Sequence, residues 1–180
     1  MIRKLIVLIA LAGLFGVWAF SDTLFPPETM RAGQVKVRDG DTITMTGKDI
    51  RLYGIDAPEY TQICQNKAGK NWSCGEEARL KMVSIIGDAE VTCEAKAEDK
   101  YGRSVATCST PMVPDIALAL VEAGLAANGV DGSDGPYAVS ESLAQVEKLG
   151  VWQGEFMSPS DWRRANPRQN AENIKPNGTS

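Results

Sequence analysis

The chain has 180 residues, of which 43% are hydrophobic and 23% are charged, and its formal net charge is −4. This composition excludes wholesale disorder and fits one compact domain with a substantial core. An acidic protein receives no long-range attraction from nucleic-acid phosphates, so local cations or a bound metal would have to offset the repulsion in any nucleic-acid complex.

The first 21 residues have the pattern of an export segment. Arg3 and Lys4 precede an uncharged, apolar run over residues 5–21, which is typical of a signal peptide. A small-residue cleavage pattern ends at Ala19. The run is also close to the minimum length of a membrane span, so an uncleaved anchor remains the alternative. Both readings predict an exported domain, either periplasmic or secreted, or attached to the inner membrane through residues 5–21.

Residues 22–31 are expected to form a linker, because Pro26 and Pro27 interrupt regular structure. Alternating polar and apolar residues then predict a meander of three antiparallel strands and, after a helix, two more strands. The expected strands lie over 34–37, 42–46, 49–53, 90–95 and 103–109.

The helix between the third and fourth strands has recognisable ends. Ser73 and Glu76 have the spacing of a capping box, apolar residues repeat as far as Ile86, and Gly87 provides a stop. Two more helices are expected, over about 115–123 and 137–148.

This order of elements predicts an α+β fold. We expect a five-stranded, OB-fold-type antiparallel β-barrel with about three helices. The domain is expected to cover residues 32–156, and residues 157–180 are expected to form a polar C-terminal tail.

The chain has four cysteines, Cys64, Cys74, Cys93 and Cys108. An even number of cysteines in an exported domain favours two disulfides, although the sequence leaves three connectivities open. We favour Cys64–Cys74, which closes a short loop, and Cys93–Cys108, which joins neighbouring predicted strands. A zinc site is the competing interpretation, and the absence of histidine and of a C-x-x-C pair argues against it.

Three polar clusters lie at the ends of predicted strands: residues 39–42, 51–59 and 99–103. Each has an ordinary explanation by itself: an Asp-Gly turn, a loop broken by Pro58, and an exposed ion pair at a hairpin tip. Together they would place carboxylates and arginines at one rim of a barrel, where residues distant in sequence meet.

In this order and spacing, the three clusters resemble the signature segments of the staphylococcal nuclease, or thermonuclease-like, family. The resemblance covers about residues 32–156, and the ending from Trp152 to Arg164 is similar to that of exported bacterial members. It implies an OB-type endonuclease domain that uses calcium to hydrolyse DNA or RNA and leaves 3′-phosphate ends. Nucleic acid is then the substrate, and no protein partner is implied.

The resemblance also implies a metal site. Asp41 and Asp56 match the family's two metal carboxylates, and the backbone carbonyl of Ala57 matches the third protein ligand. Oxygen ligands of this kind suit Ca²⁺. Asp39 is expected to act on the ion indirectly, through those ligands.

The same resemblance implies the catalytic groups. Glu59 matches the residue that activates the attacking water, and an ionised glutamate can accept its proton. Arg51 and Arg103 match the two cations beside the scissile phosphate, where a planar guanidinium binds phosphoryl oxygens bidentately. Lys100 and Tyr101 match residues that hold a terminal phosphate.

Residues 126–137 depart from the family pattern. Many members have tyrosines and basic residues there, whereas this chain has Asp131, Asp134 and no cation, and Tyr137 is the remaining aromatic. The segment predicts a weak nuclease, or one that prefers short or single-stranded substrates.

Two other functions remain open. One is a non-catalytic OB-type module that binds an oligonucleotide, a saccharide or a protein in the cell envelope. The other is a membrane-anchored assembly factor with an inactive domain, which requires an uncleaved anchor. The retention of every matched catalytic and metal position favours the enzyme.

Overall fold

The computed structural model describes residues 28–129 and 135–167. The expected export segment, most of the expected linker, residues 130–134 and residues 168–180 lie outside the described residues. Within the described part, no helix is both long enough and apolar enough to cross a membrane.

The described residues form ten strands, most of them short: β1 (Thr29–Ala32), β2 (Lys36–Val37), β3 (Thr42–Met45), β4 (Lys48–Leu52), β5 (Ile55–Asp56), β6 (Cys64–Gln65), β7 (Asn71–Trp72), β8 (Val91–Glu98), β9 (Ser104–Ser109) and β10 (Ala127–Asn128). Six of them make the main sheet, in the order β1-β8-β9-β4-β3-β2. Two separate pairs, β5 with β10 and β6 with β7, complete the strands.

The α+β class and the barrel-like architecture are confirmed, with differences in the sheet. The main sheet is a curled half-barrel with six strands instead of five, and it is mixed because β4 and β9 pair in parallel. The expectation of a wholly antiparallel barrel was wrong on this pairing. Alternation along a strand shows which residues face the core. It does not show whether a partner strand that follows a helix runs parallel or antiparallel to it.

The first strand lies inside the segment expected to be a linker. Met30 of β1 pairs with Cys93 of β8, and the partly buried Met30 and Ala32 pack against the core. The two prolines before this strand are compatible with it, because proline is tolerated just outside a strand.

The structure has four α-helices and one 3₁₀ helix within the described residues: α1 (Cys74–Ile86), α2 (Ile116–Glu122), α3 (Ala138–Val146), the 3₁₀ helix (Gly150–Gln153) and α4 (Pro159–Ala165). Helix α1 ends at Gly87, which has a φ of 51° and donates its N–H to the carbonyl of Val83. The expected capping box was wrong, because the Ser73 side chain makes no capping hydrogen bond.

Helix α4 lies within the segment expected to be a polar tail. It is capped by Ser158, whose hydroxyl accepts from the N–H of Asp161, and Pro159 occupies its first turn. Trp162 is 9% exposed and fixes the helix against the domain. The folded domain therefore continues beyond residue 156.

Both expected disulfides are confirmed. Cys93 and Cys108 are direct register partners on β8 and β9, while Cys64 and Cys74 join β6 to the first residue of α1. All four cysteines are buried and disulfide-bonded, so the zinc interpretation was wrong.

Two glycines allow α1 to pack closely against the loops that carry the first two polar clusters, residues 39–42 and 51–59. A Cβ at Gly40 would be 2.7 Å from the Cβ of Ala57 and 2.8 Å from that of Ala78. A Cβ at Gly75 would be 1.8 Å from the backbone oxygen of Glu59. The first and second polar clusters are therefore both packed against α1.

Candidate active site

Arg51 joins the first two polar clusters. It lies on β4 opposite Thr42 of β3, so its side chain is next to Asp41, and the turn after β4 returns Asp56 to the same place. The guanidinium contacts a carboxylate oxygen of Asp41 at 2.8 Å and one of Asp56 at 2.8 Å. These ion pairs raise the pKa of Arg51, with Asp41 the largest cause and Asp56 a further one, although burial opposes them.

Asp41 is 4% exposed and makes two further contacts. It accepts from the Thr42 hydroxyl at 2.8 Å and from the backbone N–H of Ala57 at 3.3 Å. The predicted metal-ligand positions at Asp41, Asp56 and Ala57 are therefore adjacent in the structure.

Asp39 lies beside these residues. It accepts from the backbone N–H of Asp41 at 3.1 Å. Burial, together with the neighbouring charge of Asp41, raises the pKa of Asp39 to about 8. Because several acidic groups lie close together here, a nearby positive charge would stabilise their ionised forms.

Glu59 is held by Gln62, which is fully buried. The Gln62 side-chain oxygen accepts from the backbone N–H of Glu59 at 3.2 Å, and the backbone N–H of Gln62 donates to the Glu59 carbonyl at 2.7 Å. The Gln62 amide nitrogen donates to the carbonyl of Met157 at 2.8 Å. One side chain thus connects the Glu59 loop to the segment before α4.

Arg163 of α4 contacts two of the predicted site residues. Its guanidinium donates to both carboxylate oxygens of Asp56, at 2.9 and 3.0 Å, and to Glu59 at 2.8 Å. Burial raises the pKa of Glu59, and Arg163 partly offsets that effect. Burial also tends to lower the pKa of Arg163, but the hydrogen bonds that it donates to Asp56 and Glu59 raise the pKa overall.

Sequence reasoning missed Arg163 and Gln62 as site residues. The ending from Trp152 to Arg164 was recognised only as a family resemblance. Arg163 is 107 positions from Asp56 in the sequence, and no local pattern indicated that the two residues would be in contact. The signal that was available was an apolar Trp162 next to two arginines, which is typical of a docked helix and unusual in a solvated tail.

The third polar cluster lies on the turn between β8 and β9. Arg103 pairs with Asp99 at 2.7 Å and lies 5.7 Å from the Tyr101 ring centre, and Lys100 lies 5.1 Å from the same centre. Tyr101 is 66% exposed. Among the described residues, the ion pair of Arg103 is with Asp99 and does not involve Asp41 or Asp56.

The β4–β9 pairing nevertheless brings this turn close to Arg51. Ser104, which follows Arg103, is the register partner of Ile50, which precedes Arg51. The structure therefore joins Asp41, Arg51, Asp56, Ala57 and Glu59 in one site and places Arg103 on the neighbouring turn.

The donor set fits a hard cation chemically. Carboxylate and backbone oxygens are the ligands that Ca²⁺ takes, and Asp41, Asp56 and Ala57 supply both kinds. Within residues 28–129 and 135–167, no three acidic or cysteine side chains form a metal cluster as they stand. In this arrangement Arg51 contacts a carboxylate oxygen of Asp41 and one of Asp56, and Arg163 contacts both carboxylate oxygens of Asp56.

The strand beside Asp56 contributes no cation. Ala127 of β10 is the register partner of Asp56, and the backbone N–H of Asn128 donates to Glu141 at 2.9 Å. Tyr137 is 7% exposed and donates its hydroxyl to Asp115 at 2.9 Å, so it is packed into the domain.

Comparison with known proteins agrees with this architecture. The family model described as staphylococcal nuclease homologue matches residues 49–154. This range includes Arg51, Asp56, Glu59 and Arg103, and it ends before Arg163.

Three relatives illustrate the similarity. The chain is 33% identical to the succinoglycan biosynthesis protein ExoI of Rhizobium meliloti (strain 1021), over 68% of this chain and 65% of that protein. It is 30% identical to the probable endonuclease LCL3 of Colletotrichum graminicola, over 63% of this chain and 45% of that protein. It is 29% identical to the micrococcal nuclease of Shigella flexneri, over 79% of this chain and 84% of that protein.

The matched region covers less than two thirds of the first two relatives, so the likeness concerns the domain. The family match covers more than half of the chain; it includes β8, β9, α1 and the site residues Arg51, Asp56 and Glu59, whereas β1, β2, β3 and Asp41 precede it. The chain belongs to the family of staphylococcal nuclease homologues.

Proposed function

We propose that this chain is an exported, calcium-dependent phosphodiesterase that hydrolyses DNA or RNA. One observation carries the proposal: the fork of Arg51 joins Asp41 and Asp56 at 2.8 Å each, with Glu59 attached to the same Asp56 through Arg163. Carboxylates and guanidinium groups in direct contact are the components from which a metal-assisted phosphoryl-transfer site is built.

Asp41, Asp56 and the carbonyl of Ala57 would hold the ion. Asp39 would not contact the ion but would help to position Asp41, whose backbone N–H donates to it. When bound, calcium would neutralise charge on the phosphate and polarise the phosphoryl group. Few carboxylates take part, so its affinity should be in the weak range of extracellular sites, about 10⁻⁴–10⁻³ M.

Glu59 would accept a proton from the attacking water as the water oxygen forms its bond to phosphorus. The bond from phosphorus to the 5′ oxygen would then break, the 5′ oxygen would take a proton from solvent water, Glu59 would release its proton to solvent, and the phosphate would remain on the 3′ end. Partial burial of Glu59 favours proton acceptance, because it raises the pKa of the carboxyl above its usual value.

Arg51 and Arg103 would bind phosphoryl oxygens and stabilise the charge that develops on them. Arg51 is already oriented by two carboxylates. Arg103 is paired with Asp99 on a partly exposed turn, and such a pair is weak enough to exchange for a phosphate. Lys100 and Tyr101, on the same turn, would meet a terminal phosphate.

The substrate is proposed to be short or single-stranded. Among the described residues, strand β10 beside Asp56 is uncharged and Tyr137 is packed into the domain, so neither offers a group that would grip a duplex. The printed names of two relatives, a micrococcal nuclease and a probable endonuclease, support nucleic acid as the substrate class.

A cleavage assay tests the proposal. A labelled single-stranded oligonucleotide and a supercoiled plasmid are incubated with the full-length chain in millimolar calcium, and in parallel with a chelator. We expect cleavage in calcium alone, with 3′-phosphate ends on the products. Binding of the oligonucleotide without cleavage in calcium would instead identify a non-catalytic binding module.

A further inference from the structure

We propose that Arg163 sets the calcium affinity of the site, because its guanidinium, which also pairs with Glu59, competes with the ion for Asp56. The proposal rests on the proposed function, since it presumes that Asp56 is a calcium ligand. It adds a residue from α4, beyond residues 49–154 that match the family model, to the group that controls the metal.

The contacts place Arg163 on the carboxylate edge that an ion would use. Its two terminal nitrogens lie 3.0 and 2.9 Å from the two oxygens of Asp56, in a bidentate fork. Arg51 contacts one of the same oxygens at 2.8 Å. A carboxylate offers about four lone-pair positions, so these three contacts from two guanidinium groups leave Asp56 little capacity for a third positive partner.

Glu59 is involved in the same way. Of the two Arg163 nitrogens that contact Asp56, the one at 3.0 Å also contacts Glu59, at 2.8 Å. The Asp56 and Glu59 side chains are each 16% exposed and that of Arg163 is 35% exposed, so water screens the group only partly. A divalent ion at Asp56 would lie beside a guanidinium of the same sign, and its binding would require Arg163 to withdraw.

The arginine side chain can withdraw while its helix stays in place. Helix α4 is fixed by the buried Trp162, and the segment before it is held by the hydrogen bond from Gln62 to Met157. The Arg163 side chain itself is long, partly exposed and rich in rotamers. Coupling of this kind is reciprocal, so an ion that displaces Arg163 binds more tightly when Arg163 is removed.

The neighbouring Arg164 provides a matched control. It is on the same helix and carries the same charge, but its side chain is 75% exposed and pairs with Asp161 inside α4. Replacing either arginine changes the net charge equally. A long-range charge effect would therefore appear in both variants, whereas competition at Asp56 would appear only at residue 163.

The experiment measures calcium binding directly, by isothermal titration of the full-length protein without substrate and at fixed ionic strength. The variants are Arg163→Gln, Arg163→Lys, Arg164→Gln and Asp56→Asn. We expect Arg163→Gln to bind calcium about tenfold or more tightly than wild type, since several charge-assisted hydrogen bonds no longer have to be broken. Arg164→Gln should stay within about twofold of wild type, because its exposed pair contributes little.

Arg163→Lys guards against a variant that does not fold. Lysine keeps the charge but cannot form the fork, so its affinity should lie between those of wild type and Arg163→Gln. Thermal melting of each variant identifies those that remain folded, and the lysine variant decides the question if the glutamine variant is unfolded.

The outcomes separate this inference from the proposed function. Calcium binding by wild type that Asp56→Asn abolishes, together with unchanged or weaker binding by both Arg163 variants, would overturn the inference and leave the calcium site standing. Equal tightening by Arg163→Gln and Arg164→Gln would also overturn it. If wild type and all variants bind no calcium, the metal site itself is refuted, and the inference with it.

Discussion

Arg163 donates to both carboxylate oxygens of Asp56, at 2.9 and 3.0 Å, although the two residues are 107 positions apart. Asp56 follows the fourth strand, and Arg163 lies on the last described helix. The site therefore combines residues that are far apart in the sequence, and Arg163 reaches Asp56 only when α4 is packed against the domain. The structural domain extends at least to Ala165, beyond the boundary at residue 156 that the sequence suggested.

The two proposed phosphate-binding arginines should differ in their effect on stability. Replacement of Arg51 by Met leaves the buried Asp41 without its ion-pair partner, and we expect a loss of about 2–4 kcal/mol of unfolding free energy in chelator. Replacement of Arg103 by Met removes a partly exposed pair with Asp99 and should cost less than about 1 kcal/mol. Urea unfolding monitored by circular dichroism measures both.

Calcium should discriminate further between these variants. An ion at Asp41 replaces the missing positive charge, so added calcium should restore part of the stability of Arg51→Met and change that of Arg103→Met no more than that of wild type. Both variants should hydrolyse nucleic acid about 10²–10³-fold more slowly. Equal stability losses in the two variants would show that Arg51 does not neutralise the buried carboxylate.

Gly75 should be required for the position of Glu59. A Cβ there would be 1.8 Å from the Glu59 backbone oxygen, so Gly75→Ala forces α1 and the Glu59 loop apart. Gly33→Ala is the matched control, because a Cβ at Gly33 meets nothing within 4 Å. We expect the Gly75 variant to lose at least about tenfold in kcat/KM, since small displacements of a catalytic group are costly. A Gly75→Ala variant as active as Gly33→Ala would contradict this packing.

The two disulfides should contribute similarly to stability but differently to activity. Loss of Cys93–Cys108, which closes a 15-residue separation between core strands, should cost about 3 kcal/mol. Loss of Cys64–Cys74 should cost a similar amount, but that bond also ties the loop after Glu59 to α1. Double Cys→Ala variants, assayed well below their unfolding temperatures, should show reduced kcat/KM only for the Cys64–Cys74 pair. Reduced activity in both would mean that general stability is the cause.

The parts of the fold that could be predicted from sequence are those with strong local signals. Alternation over β3 and β4, the apolar repeat of α1 and its stop at Gly87 indicated the correct elements to within a few residues. The disulfides followed from the expected adjacency of β8 and β9 and from a short loop. Local patterns could not show that β1 extends the sheet, because its four residues include an arginine and follow two prolines.

The site was only partly predictable for a similar reason. The motifs identified Asp41, Arg51, Asp56 and Glu59, which are close in sequence and do contact one another directly or through an arginine. Arg163 and Gln62 act through tertiary contacts that no motif encodes: α4 must dock before Arg163 meets Asp56, and Gln62 must be buried before it holds Glu59. The catalytic, metal-binding and substrate-binding roles of all these residues, and of Arg103, Lys100 and Tyr101, stay predictions.

The proposed nuclease should prefer single-stranded substrates. The strand beside Asp56 carries no cation at Ala127 or Asn128, so few phosphates beyond the scissile one can be neutralised. We expect a higher kcat/KM on a single-stranded oligonucleotide than on the matching duplex, and a shallow dependence of kcat/KM on salt concentration. Equal rates on long duplex DNA, with a steep salt dependence, would contradict this prediction.

The central claim is that Glu59 and the Asp41–Arg51–Asp56 group form one hydrolytic site. The most direct test is kcat/KM for calcium-dependent cleavage of a single-stranded oligonucleotide by Glu59→Gln, compared with wild type and with the exposed control Glu98→Gln. We predict a loss of about 10²–10⁴-fold for Glu59→Gln, because general-base assistance is removed, and no loss for Glu98→Gln. Undiminished, calcium-dependent cleavage by the folded Glu59→Gln variant would contradict the account.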